Sequence, residues 1–88
     1  MEIPENVRIL GLDYAVVRAE LEGADGEISP RRQTITLAPG MSRGREEQTY
    51  LHELVHGILD QLGYTELYED ERLVQGLAVG LHQALSER

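Results

Sequence analysis

Thr49-Tyr50-Leu51-His52-Glu53-Leu54-Val55-His56-Gly57-Ile58 is the stretch from which the rest of the chain can be read. It contains His-Glu-x-x-His, the pattern of a helical zinc site with the Glu as general base. Histidines four residues apart stand one turn above one another on the same helix face. Two imidazoles so placed can reach one metal ion. Leu51, Leu54, Val55, Gly57 and Ile58 are uncharged, so the motif is expected on a helix half buried in a core.

Working outward, the helical period extends from about Arg43 to Leu62. Leu51, Leu54, Val55, Ile58, Leu59 and Leu62 form its apolar stripe. Ser42 is a plausible N-cap, and Gly63 a natural left-handed stop. Glu53 is expected on the side of the histidines away from the core. A second amphipathic helix is expected from about Glu69 to Leu85, with Val74, Leu77, Ala78, Leu81 and Leu85 on its apolar side. Tyr64 to Tyr68 reads as the connection.

Before the histidine helix the pattern is β. Val7 to Leu10 and Tyr14 to Leu21 read as a hairpin around Gly11-Leu12-Asp13. In the second strand Ala15, Val17, Ala19 and Leu21 share one face. Glu27-Ile28-Ser29 is a short strand ended by Pro30. Thr34-Ile35-Thr36-Leu37 alternates, with Ile35 and Leu37 toward the core. The fold class is therefore α+β: a small, mostly antiparallel sheet of three to four strands followed by two helices, as a single domain over residues 1–88.

Bulk composition narrows the chemistry. An 88-residue chain with 41% hydrophobic residues supports one modest core, of a size often helped by a metal or a partner. With no cysteine, disulfides and thiolate metal sites are excluded, and any metal must sit on His and carboxylate. The net charge of −8 argues against nucleic acid as the main partner. Arg31-Arg32 and Arg43 with Arg45 are small basic spots that read as solvated. No apolar run is long enough for a membrane span and no signal-peptide pattern is present, which points to a cytoplasmic protein.

If His52 and His56 are ligands, each binds through one ring nitrogen at about 2.0–2.1 Å. Glu53 then stays off the metal, holds the attacking water and accepts its proton. A catalytic zinc usually takes three protein ligands. A third His at the longer spacing of His-Glu-x-x-His-x-x-Gly-x-x-His is ruled out, because Leu59 and Leu62 stand there. Glu66, Glu69, Asp70, Glu71 and His82 are the candidates. Glu71, Gln75, Ala78 and His82 share a stripe of the second helix, which puts Glu71 modestly ahead. His82 lies eleven residues further, about 16 Å along the axis, so only one of the two can serve. Gln75 reads either as a partner of Glu71 or as a solvent-exposed side chain. Tyr64 and Tyr68 read as packing residues, with oxyanion stabilisation as their alternative role. Gly76 and Gly80 hint only weakly at a dimer.

The chain resembles the minimal gluzincin-type zinc metallopeptidase domains of phages and prokaryotes, and is distantly similar to the ImmA/IrrE group. The likeness rests on Thr49 to Ile58, Gly11-Leu12-Asp13-Tyr14, Gly26-Glu27-Ile28, Gln33 to Leu37, and Glu71-Arg72-Leu73-Val74-Gln75-Gly76-Leu77-Ala78. It implies one Zn2+ on His52, His56 and Glu71, with Glu53 as base. It also implies an edge strand that holds an extended peptide substrate, assigned here to Thr34 to Leu37. The expected activity is hydrolysis of peptide bonds. The competing expectation is a zinc-binding scaffold or regulatory module that retains the core without catalysis, because the chain has no room for the helical subdomain of larger gluzincins.

Overall fold

The computed structural model describes residues 1–86. A four-stranded, mixed but mostly antiparallel sheet is followed by helices. The strands are β1 (Asn6–Ile9), β2 (Leu12–Arg18), β3 (Gly26–Ser29) and β4 (Thr34–Leu37). The helices are α1 (Arg43–Leu62), the single turn α2 (Thr65–Tyr68), and α3 (Glu71–Ser86).

The hairpin turn is Leu10-Gly11, one step earlier than its composition predicts. Both residues have positive φ, 45° and 96°. That is the backbone sense of the two-residue turns that match strand twist. Gly11 takes it freely, and Leu10 is carried along by the antiparallel register Ile9↔Leu12. The register puts Tyr14 and Val16 in the core and leaves Val17 exposed, so the Ala15–Val17 face is the outer one.

Strand order is β1-β2-β4-β3, with β4 parallel to β2 and antiparallel to β3. Thr34–Leu37 is therefore an interior strand. The expectation that it forms the peptide-pairing edge is corrected: both of its sides are taken by β2 and β3. The physical reason lies in composition. Ile35 and Leu37 are fully buried, and a strand so apolar on one face is favoured at the sheet centre. Short β3 carries Glu27, and charged short strands are better tolerated at an edge.

Helix α1 lies across the sheet. Ser42 caps it, its hydroxyl accepting from the Arg45 N–H at 3.3 Å. Gly63 ends it at φ 83°. Tyr50, Leu51 and Val55 enter the core with Ile9, Tyr14, Val16, Ile35 and Leu37. Contact with β3 is close enough to need a glycine. A Cβ on Gly26 would sit 2.6 Å from Thr49 Cγ2 and 3.3 Å from Glu53 Oε2.

Helix α3 returns antiparallel to α1. Asp70 caps its start, accepting from the Leu73 N–H at 3.1 Å. Only Val74 and Ala78 of α3 are buried. Leu77, Leu81 and Leu85, expected inside, are 42–50% exposed. Among the described residues no layer lies beyond α3, and its apolar stripe exceeds the width that one neighbouring helix can cover. No helix among the described residues is long and apolar enough to cross a membrane.

Gly26→Ala is expected to lower stability by about 1–3 kcal/mol through overpacking against α1. Thr49→Ser in the same chain removes the methyl that clashes and should recover part of the loss in a denaturant melt. A neutral single variant would show that β3 can retreat from α1 freely.

Candidate metal centre

His52 and His56 stand on adjacent turns of α1, their rings 4.9 Å apart. Glu71 is the first residue of α3. Gly63 and the single turn α2 reverse the chain tightly enough for α3 to overlap α1. The Glu71 carboxylate then reaches both rings. His52 Nε2 lies 2.9 Å from Glu71 Oε1, and His56 Nε2 lies 3.1 Å from Oε2. One ligand atom from each residue falls within 4.8 Å of the others, so the three form a group that could hold a metal ion.

The donor chemistry fits a cation. Gln75, one turn after Glu71, places Oε1 2.7 Å from His52 Nδ1. As an acceptor it holds a proton on Nδ1 and leaves the Nε2 lone pair facing the carboxylate. A lone pair and an anionic oxygen at 2.9 Å repel unless a second proton or a cation lies between them. His56 tells a related story. Its Nδ1 is buried with no hydrogen-bond partner among the described residues. An unpaired buried polar atom costs roughly 1–3 kcal/mol; the ring's other nitrogen, Nε2, is the one that faces Glu71. Two imidazole nitrogens and a carboxylate oxygen are a donor set that suits zinc among other divalent ions.

Glu53 sits elsewhere than expected. It is 7% exposed and tucked against Gly26 and β3, on the sheet side of α1. The stripe reading failed because it treated α1 as having one covered face, whereas β3 covers the adjoining one as well. Burial pushes the Glu53 carboxyl up to about 7, opposed by His52 and supported by the negative charges of Glu71 and Glu27. Its side chain still lines a cleft of about 310 Å3, shared with His52, Gln75 and the start of β3.

The remaining candidates separate cleanly. His82 is bound elsewhere, with Nε2 2.8 Å from Glu47 Oε1. Glu47 is buried, also meets Arg43 Nε at 3.2 Å, and is held below its usual range chiefly by the His82 hydrogen bond. Asp70 is occupied as a cap, and Glu66 and Glu69 are exposed. Tyr68 packs its ring 4.8 Å from that of His56, while Tyr64 is exposed. Gln75 serves His52 rather than Glu71. The i,i+4 spacing of Glu71 and Gln75 marked the pair; which histidine it would meet depended on how far α3 overlaps α1. Gly26 was missed as a site residue, because nothing in its sequence neighbourhood signals a helix pressing on it.

Comparison with protein-family models, with curated proteins and with solved structures finds no match to this chain.

Two outcomes are expected. Zn2+ added to metal-free protein should raise the melting temperature, by about 2.7 kcal/mol of stability at a hundredfold excess over Kd. His52→Ala and Glu71→Ala should abolish that response and His82→Ala should keep it; a lost response in His82→Ala alone would point to the wrong third ligand. The second concerns pH. A carboxyl whose folded pKa is raised stabilises fully below its ordinary value near 4.5, and loses that contribution as pH rises to about 7. Metal-free wild type should therefore lose roughly 2–3 kcal/mol relative to Glu53→Gln over this window. Parallel stability curves would show that Glu53 does not titrate there.

Proposed function

We propose that this chain is a zinc-dependent peptidase of the gluzincin kind, with His52, His56 and Glu71 holding the ion and Glu53 as general base. The observation that carries the reading is one arrangement. His52, one member of the His/His/Glu group, lines a cleft together with the Glu53 carboxyl of the same helical turn. A purely structural site has no use for that carboxyl, and its burial has an energetic cost.

A bound zinc ion supplies the positive charge that acidifies a water and polarises a carbonyl. The chain's residues do the rest. Gln75 fixes the His52 tautomer and so directs Nε2 at the ion. Tyr68 limits how the His56 ring can tilt. Glu53, whose carboxyl burial raises above the usual range in the metal-free protein, can take a proton from the attacking water and return it to the departing amide nitrogen as the C–N bond breaks. Peptide binding falls to β3, the edge strand whose Gly26 lines the cleft.

Glu53→Gln is expected to keep zinc affinity and to lower cleavage of an unfolded protein substrate by roughly 10²–10⁴-fold. Equal cleavage by the variant would remove Glu53 from the mechanism. Stoichiometric zinc with no hydrolysis by the wild type would favour the zinc-binding scaffold instead.

A further inference from the structure

We infer that the cleft beside His52 and Glu53 is a subsite for a carboxamide side chain, asparagine or glutamine, selected by Arg45 and Asp25. This rests on the peptidase reading and adds the substrate class to it.

The cleft has no hydrophobic wall. Beside Gly26 and the two site residues it is lined by Asp25, Arg45, Gln48, Thr49 and Gln75. Its distinctive feature is the Asp25–Arg45 pair, which joins the loop before β3 to the first turns of α1. Arg45 Nε and Nη2 both reach one oxygen, Asp25 Oδ2, at 2.7 and 2.6 Å. Asp25 Oδ1 takes no part in that pairing. A guanidinium has five N–H donors, so three of Arg45's remain beyond the pair. The wall thus presents acceptor and donors side by side with no net charge.

A carboxamide is the complement of such a wall, one acceptor and two donors in a plane. A carboxylate would gain from Arg45 but face Asp25. An ammonium or guanidinium would gain from Asp25 but face Arg45. An apolar side chain would strip water from Arg45, Asp25, Gln48 and Thr49 and replace none of their hydrogen bonds, which is how polar sites reject apolar analogues. Position along the substrate also follows. Arg45 precedes His52 by seven residues, about 10 Å along the helix axis. An extended peptide advances about 3.3 Å per residue, so the selected residue lies about three positions from the bond cut if the peptide runs along α1.

The test uses blocked peptides of one sequence, with Asn, Gln, Asp, Glu, Lys, Arg or Leu placed in turn at each of the three positions on either side of the cut bond. Zinc-loaded wild type should favour Asn or Gln at one position by about tenfold or more in kcat/KM. Arg45→Ala leaves Asp25 alone and should move the preference to Lys and Arg. Asp25→Ala leaves Arg45 and should move it to Asp and Glu. Arg45 is largely exposed and Asp25 half-buried, and an unchanged circular dichroism melt checks that each variant folds. The same peptides are titrated by NMR into zinc-loaded Glu53→Gln protein, which reports binding without turnover. A flat or Leu-led profile, or variants that keep the wild-type preference, would overturn the inference. Selective binding with no cleavage by wild type would overturn the peptidase reading and leave the subsite standing. Neither binding nor cleavage would overturn both.

Discussion

The antiparallel contact between α1 and α3 is the constraint on which the site depends. It is narrow: only Val74 and Ala78 of α3 are buried. Two side chains of that size remove little apolar surface from water, of the order of 2–4 kcal/mol together. A histidine–glutamate contact stands at each end of this seam. Glu71 meets His52 and His56 at one end, and His82 meets the buried Glu47 at the other. The two contacts are chemically alike but differently placed. Glu47 sits among cationic partners and stays a closed ion-pair cluster. Glu71 faces two ring nitrogens, is largely exposed, and has room for a cation to share the carboxylate.

That same seam explains why a metal would be worth more to this chain than to a larger one. With Leu77, Leu81 and Leu85 outside the core, α3 gains less from packing than its composition would allow. An ion shared by His52, His56 and Glu71 would couple the two helices directly, so binding free energy would become docking free energy. Gln75 contributes by settling which nitrogen of His52 carries the proton before any ion arrives.

On the other flank of α1 the sheet sets the chemistry of Glu53. The absence of a side chain at Gly26 lets β3 press onto the helix, and that contact dehydrates the carboxyl. Fold packing therefore sets the proton affinity of this carboxyl. A charged group next to two histidines would be ordinary on an open helix; beneath a strand edge its pKa is raised to about 7 by burial.

Local features of the sequence were sufficient for much of this. The extent of α1, its Ser42 and Gly63 ends, the inward Ile35 and Leu37, and the pairing of His52 with His56 all follow from periodicity and cap chemistry, which act over a few residues. Glu71 was one candidate among several until the length of the reversal was known. Strand order was only hinted at locally, by the charge on short β3, because Thr34 to Leu37 has the same alternation at an edge or at the centre. So was the setting of Glu53, since a helical wheel shows where a side chain points but not what covers it. The sequence by itself determined which side chains could share a helix face. Only the tertiary structure decided which faces meet, because burial and metal-site geometry come from contacts between segments far apart in the chain.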